Sequence, residues 1–221
     1  MLEACWDLVE GVCRGGSREE VEADLEVYLG LMREWNAFAS LVSAGDAGAR
    51  LEEHVWDSLS IAAYVAEACR DGGVWLDVGS GGGFPAIPVK AVLPDTPVRL
   101  VERSAKKVGF LRQTVARLGL EGVTIVQGAF PQAVGEGKIA VVTSRAIEDP
   151  ERVGKALAGW LPEGATYLCQ REQPPERLRG PMFHVEQLRD AWHTRELRRG
   201  SLWRIRRAGS HGGDVPRGTS A

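Results

Sequence analysis

Asp77-Val78-Gly79-Ser80-Gly81-Gly82-Gly83-Phe84-Pro85 follows the apolar run Val74-Trp75-Leu76 and opens a helix. A strand that ends in an acid, then a glycine cluster, then a helix is the ligand-binding corner of an open α/β sheet. Gly79 and Gly81 let the backbone turn sharply and approach a ligand without Cβ clashes. Pro85 suits the first turn of the helix, where a missing N–H costs nothing.

Downstream of this corner the pattern alternates. Val98-Arg99-Leu100-Val101-Glu102 is a second strand closed by an acid. Ser104 caps a helix from Ala105 to about Leu118, and Gly119 stops it. Val123 to Gln127 and Ile139 to Ser144 read as strands, Asp149-Pro150 starts a helix, and Ala165 to Cys169 is a strand again. Phe183-His184-Val185 and Leu202-Trp203-Arg204-Ile205-Arg206 close the series; alternation in the latter reads as an edge or half-exposed strand. Strands alternating with helices imply right-handed βαβ crossovers, hence an α/β fold with a mostly parallel seven-stranded sheet.

Upstream the period is helical. Ser17-x-x-Glu20 is a capping box, followed by Val21, Leu25, Leu29, Met32 and Trp35 on one face. The small residues Ser43 to Gly48 break this pattern, and a second helix is expected from about Arg50 to Cys69. The expected organisation is a helical extension over 1–70, a sheet domain over 71–209 and a Gly- and Ser-rich disordered tail over 210–221.

Composition narrows the function. The 221 residues suit one domain plus an extension, or two small domains. No apolar run reaches the roughly 18 residues of a membrane span, and Glu3, Asp7 and Glu10 do not suit a signal peptide. Cys5, Cys13, Cys69 and Cys169 form no CxxC pair, which speaks for free thiols in a reducing cytoplasm. His54, His184, His193 and His211 have no metal-ligand spacing, so no metal is expected. The net charge of −3 hides a gradient: residues 1–60 hold 13 acids and 4 arginines, whereas residues 171–207 hold 10 arginines and 5 acids. Such asymmetry fits a basic, partner-facing end, or the general preference of this chain for arginine, with 22 Arg against 5 Lys.

Two cofactor classes compete for the glycine loop. A dinucleotide fold wants G-x-G-x-x-G, and here Phe84 takes the third glycine's place. A methyltransferase wants an acid, then G-x-G-x-G, which Asp77, Gly79, Gly81 and Gly83 supply. Glu102, at the end of the next strand, suits ribose hydroxyls. Loop and acid together favour S-adenosylmethionine over NAD, in a Rossmann-like class I methyltransferase fold.

Several stretches then carry a more specific resemblance. They are Arg33-Glu34-Trp35-Asn36, His54-Val55-Trp56-Asp57-Ser58-Leu59, Leu76 through Pro88, Ser104-Ala105-Lys106-Lys107-Val108-Gly109-Phe110-Leu111-Arg112, and Thr143-Ser144-Arg145-Ala146. In this order they resemble the small-subunit ribosomal RNA guanine-N7 methyltransferases, historically called glucose-inhibited division protein B. The resemblance spans roughly residues 30–170. It implies that Gly79, Gly81 and Phe84 contact the methyl donor, that Glu102 holds the ribose and that Phe130-Pro131 lies beside the adenine. It implies that Arg145 lines the cofactor and substrate pocket as a positioning residue, with the His-x-x-Asp-Ser helix against the site. His54 and Asp57 share a helix face and act together there, or form a helix-to-core hydrogen-bond pair.

This chain also departs from the family pattern. Glu53 stands where an arginine is common, and Ala129-Phe130-Pro131 replaces an Arg-Ala-Glu type segment. Ser40-Leu41-Val42 replaces Asn-Leu-Thr, an acid expected near Ala140 is missing, and a Lys-Gly pair gives way near Gln170-Arg171. Pro131 has no N–H and no carboxylate, while Phe130 can stack on a ring. Arg103, Arg171 or Arg177 are candidates for replacement charge toward RNA.

The implied chemistry is undemanding of side chains. Guanine N7 carries a free lone pair on the major-groove edge, so no proton has to leave before methyl transfer and positioning dominates. Replacing Arg145 is then expected to lower transfer with little loss of stability. The implied partner is ribosomal RNA or the small subunit, met by a cytoplasmic monomer. Two alternatives remain: the same fold acting on another substrate, and a non-catalytic RNA- or ribosome-binding relative.

Overall fold

A computed structural model describes residues 1–43, 50–145 and 149–208. The interruption sought at Ser43 to Gly48 and the tail from residue 210 lie outside the described residues, apart from Ser43.

The sheet has seven strands: β1 (Val74–Val78), β2 (Val98–Glu102), β3 (Val123–Gln127), β4 (Ile139–Ser144), β5 (Thr166–Gln170), β6 (Phe183–Leu188) and β7 (Leu202–Arg207). Their order is β3-β2-β1-β4-β5-β7-β6. Only β7 runs against its neighbours, pairing antiparallel with both β5 and β6. Chain progress outward from β1 through β2 to β3, then back across to β4, makes the gap between β1 and β4 the switch point where such sheets bind ligands. Of the two readings of β7, edge or half-exposed, the edge needs correction: β6 is the edge, and β7 lies inside the sheet with Leu202 and Ile205 buried and the positions between them half-buried.

The helices are α1 (Trp6–Val9), α2 (Arg18–Ala39), α3 (Leu51–Leu59), α4 (Ala62–Cys69), α5 (Ala86–Val92), α6 (Ala105–Arg117), α7 (Pro150–Trp160) and α8 (Ala191–Thr194). The capping box at Ser17 and Glu20 has both of its hydrogen bonds. The single helix expected over Arg50 to Cys69 is two, α3 and α4. Arg198 reaches in at the break: its Nη2 donates to the Ser60 carbonyl at 3.1 Å and its Nε to the Ser60 hydroxyl at 3.0 Å. The end of a helix leaves carbonyls without an intrahelical partner, and Arg198 satisfies the one at Ser60.

Strand side chains alternate between two cores. Trp75, Leu100 and Val141 face the layer of α1 to α6, together with Val21, Leu25, Met32 and Val55. Leu76, Val101, Val142 and Tyr167 face the layer of α7, with Leu157 and Leu161. The N-terminal helices thus share one core with the sheet, and α2 packs on both α5 and α6. That places the amino-terminal segment directly behind the glycine corner.

The arginines of 171–207 bind the fold to itself. Arg198 pairs with Asp190 at 2.7 Å, Arg195 with Asp7 at 2.7 Å and Arg204 with Glu186 at 2.7 Å. Arg207 donates to the carbonyls of Leu161 and Ala158, and Arg206 to the Thr166 hydroxyl. Much of the basic charge read as partner-facing is occupied in docking the β6–β7 hairpin.

Candidate active site

The glycine corner sits at the carboxyl end of β1. Gly79, Gly81 and Gly83 have φ of 70°, 52° and 87°, a region open to glycine and strained for other residues. A Cβ on Gly83 would also lie 2.6 Å from Ile87 Cγ1. The loop is braced from behind by α2. The Tyr28 hydroxyl donates to the Gly82 carbonyl at 2.6 Å, and a Cβ on Gly82 would meet Leu41 and Met32 at 3.3 Å. Asn36, on the same helix, accepts the Val42 N–H at 2.9 Å and so fixes the turn that carries Leu41.

Glu102 ends β2 and reaches across to this loop. Its Oε2 accepts the Gly81 N–H at 2.9 Å and its Oε1 the Ser104 N–H at 2.8 Å. Each oxygen keeps a lone pair, in a geometry set by two backbone donors. A cavity of about 500 Å³ opens beside it, lined by Gly79, Glu102, Ala129 and Phe130, with Arg103, Lys107 and Arg152 among its cations. Val101, Val153 and Ala156 add apolar wall. The Phe130 ring meets Trp160 edge-on at 5.0 Å, which holds it against the α7 core.

Arg145 builds a second cluster. Its Nη2 lies 2.9 Å from Asp57 Oδ2 and 2.6 Å from His54 Nδ1, and its Nη1 donates to the Ser58 hydroxyl and the His54 carbonyl. Its Cζ stands 5.6 Å from the Phe84 ring centroid, and the His54 ring packs on the same phenyl at 5.4 Å. His54, Asp57, Phe84 and Arg145 are therefore brought together, though 91 residues separate His54 from Arg145 in sequence. Burial pushes the Asp57 carboxyl up from its ordinary range, and the Arg145 guanidinium pulls it back. Asp57 also caps the Arg199 N–H at 3.0 Å, and its carbonyl accepts from Gln170 Nε2 at 2.7 Å. Gln170, a departure from the family pattern, is thus a tether between β5 and α3.

Between the two clusters lies Asp77. Trp75 Nε1 donates to Thr143 Oγ1 at 2.8 Å, and that hydroxyl donates to Asp77 Oδ1 at 2.6 Å. Oδ2 is buried with no hydrogen-bond partner. Burial raises the Asp77 carboxyl to about 7, against the opposing hydrogen bond from Thr143.

The cavity brings together Gly79, Glu102 and Phe130 from the expected set. Gly81 joins them through Glu102. Phe84, Pro131, His54, Asp57 and Arg145 are not among its lining residues. Of the arginines considered for replacement charge, Arg103 lines it and Arg171 and Arg177 do not. Glu53 is half-exposed and stands 3.8 Å from Arg199. Sequence reasoning passed over Tyr28 and Arg152, and it named Ser58 and Asp77 without their contacts to Arg145 and Thr143. Tyr28 had a signal: it lies three residues after Leu25 on the apolar stripe of α2.

These residues fit an adenosyl ligand. A carboxylate with spare lone pairs suits a pair of hydroxyls, an apolar wall with Phe130 suits a flat base, and 500 Å³ is within the usual range for a cofactor cleft.

Comparison with known proteins agrees with the fold and narrows the lineage. A family model described as rRNA small subunit methyltransferase G matches residues 21–178. The protein of that name from Halorhodospira halophila is 35% identical over 155 residues, covering 70% of this chain and 71% of its own length. Its namesake from Neisseria gonorrhoeae is 37% identical over 158 residues, covering 72% and 74%. Among solved structures, an SAH-bound methyltransferase from Podospora anserina superposes with a TM-score of 0.52 at 15% identity, over 88% of this chain and 98% of that one. An rRNA methylase from Streptococcus thermophilus gives 0.52 at 14% identity, over 69% and 97%. At such identities these two structures speak for the fold alone.

Proposed function

Since the chain belongs to the rRNA small subunit methyltransferase G family, we propose that it transfers a methyl group from S-adenosylmethionine to guanine N7 of small-subunit ribosomal RNA. The observation that carries this reading is the Glu102 carboxylate, held by the Gly81 and Ser104 N–H groups at the edge of the cavity beside the switch point. When bound, the cofactor supplies an electrophilic sulfonium methyl.

The chain's own residues bind and orient. Glu102 would accept the ribose hydroxyls, and the Gly79–Gly81 turn would let backbone approach the donor. Phe130 and Pro131 would border the adenine, where a proline offers no N–H and the contact is apolar. Phe84 would lie toward the methionine end, against the His54–Asp57–Arg145 cluster. Arg145 would act as a positioning residue, keeping Phe84 and α3 in place. Guanine N7 needs no general base, so an arrangement that positions two reactants suffices.

The sheet domain of 71–209 would do this chemistry, with the helices of 1–70 as its brace and the tail from 210 outside it. A protein acting on ribosomal RNA would work in the cytoplasm, and we read it as a monomer. Among the described residues no helix is long and apolar enough to cross a membrane.

The experiment pairs calorimetry with radiolabelled transfer to small subunits lacking the modification, followed by borohydride–aniline scission, which cleaves at N7-methylguanine. Binding, transfer and a discrete cleavage site are expected. Binding without transfer would point to another substrate for the same fold, and absence of binding at millimolar ligand would leave a non-catalytic relative.

A further inference from the structure

Phe38, in the last turn of α2, is 60% exposed, the largest exposure among the large hydrophobic residues described. It is nonetheless held in place. The Trp35 ring meets it edge-on at 6.0 Å, and Trp35 packs in turn on Phe110, also at 6.0 Å. Gly109 of α6 faces the same indole, where a Cβ would make ordinary van der Waals contact at 3.5 Å. An exposed ring braced by the half-buried Trp35, which itself rests on the buried Phe110, has lost much of its freedom before any partner arrives.

The Lys106 ammonium stands 4.4 Å from the Phe38 ring centroid. Lys106 belongs to the first turn of α6, and Arg103 and Lys107 on either side of it line the cavity. The start of α6 therefore carries a cation over an accessible aromatic ring, and its neighbours in sequence supply two more cations at the cavity wall. Exposed Val27 and Met182 belong to other parts of the chain, one on α2 eleven residues earlier and one beside β6, so Phe38 is a single ring and not part of a broad apolar patch. A lone flat ring among cations is what a nucleotide requires: the base stacks on the ring, and the phosphates meet the charges.

We propose that Phe38 is the stacking platform for an unpaired base next to the target guanine, with Lys106, Lys107 and Arg103 meeting the adjoining phosphates. This rests on the RNA methyltransferase reading and adds to it a requirement on the substrate. The target must be offered in a segment whose bases leave their own stack, as sequence-specific RNA recognition commonly demands.

The test uses the full chain and Phe38→Ala, Phe38→Leu and Phe38→Trp. Single-stranded RNA oligonucleotides carrying 2-aminopurine report stacking by quenching, with S-adenosylmethionine calorimetry and methyl transfer to small-subunit RNA alongside. Phe38→Ala is expected to weaken oligonucleotide binding about 5- to 150-fold, the range of one base–aromatic stack, and to raise KM for RNA while cofactor affinity stays put. Phe38→Trp restores binding and Phe38→Leu does not. Full rescue by leucine, or unchanged binding in Phe38→Ala, overturns the proposal while methyl transfer by the unaltered chain keeps the enzyme reading intact. Loss of transfer to assembled subunits with naked RNA unaffected also overturns it, by assigning Phe38 to a ribosomal protein. If the unaltered chain transfers no methyl yet quenches 2-aminopurine through Phe38, the enzyme reading fails and the stacking surface stands.

Discussion

Arg145 Nη2 lies 2.9 Å from the Asp57 carboxylate, with the two side chains only 11% and 3% exposed. A pair this deep behaves unlike a surface ion pair, because removing one partner strands the other charge in a poor solvent. The sequence-based expectation that Arg145→Ala spares stability therefore changes. The substitution is expected to cost about 3–5 kcal/mol in urea denaturation as well as lowering transfer. Arg145→Ala combined with Asp57→Ala is expected to cost less than the two singles summed. A midpoint shift near zero in Arg145→Ala would show that the pair is not structural.

Glu102→Gln tests the ribose grip. The amide can accept at one position only, so either Gly81 or Ser104 faces a donor, and a charge-assisted acceptor is lost. A loss of about 1.5–3 kcal/mol, roughly 10- to 150-fold in S-adenosylmethionine affinity, is expected by calorimetry. Oligonucleotide binding should hardly move. Equal cofactor affinity in the variant would remove Glu102 from the site.

Asp77 gives stability a pH dependence. Its carboxyl is raised to about 7 in the folded chain. Between its ordinary value and 7 the folded state holds the proton more tightly than the unfolded state, so stability falls as pH rises through that window and levels off above it. From pH 5 to 8 the loss is on the order of 2–3 kcal/mol. Asp77→Asn keeps an acceptor for Thr143 and should flatten this slope in urea melts at the two pH values. A slope unchanged in the variant would place its origin elsewhere.

Tyr28→Phe removes one hydroxyl from the back of the glycine loop. It leaves the Gly82 carbonyl without its donor in a buried place. The expected cost is about 1–3 kcal/mol, with weaker cofactor binding because the loop loses its brace. Equal stability and equal affinity would show that α2 packs behind the loop without shaping it.

The parts of this molecule that could be read from sequence are those written in short-range pattern. β1 to β3 follow from apolar runs closed by acids or glycines, and α2 and α6 from their Ser17 and Ser104 caps. The break between α3 and α4 had no local mark, because Leu59, Ala62 and Ala66 continue one apolar face across it. The residue that meets the Ser60 carbonyl at this break, Arg198, lies 138 residues away. The position of β7 depends on which strands it meets, and alternation along a strand does not carry that information. At the site, Glu102 was legible because it ends a strand. The helix that partners Arg145 was legible only through the family resemblance, since no spacing rule joins Arg145 to Asp57. Gln170 and Glu53 looked like losses in a linear comparison, and in space one is a tether and the other stands near Arg199.

The arginines that dock the β6–β7 hairpin have a thermodynamic echo in solution. Arg195, Arg198, Arg204 and Arg207 already have acids or carbonyls as neighbours. They therefore displace few ions when a polyanion arrives. On the face that carries the cavity and Phe38, counterion release then falls to Arg103, Lys106, Lys107 and Arg152. About four phosphates neutralised on a single strand give a slope near −3 in log K against log salt, far shallower than the chain's arginine content would suggest.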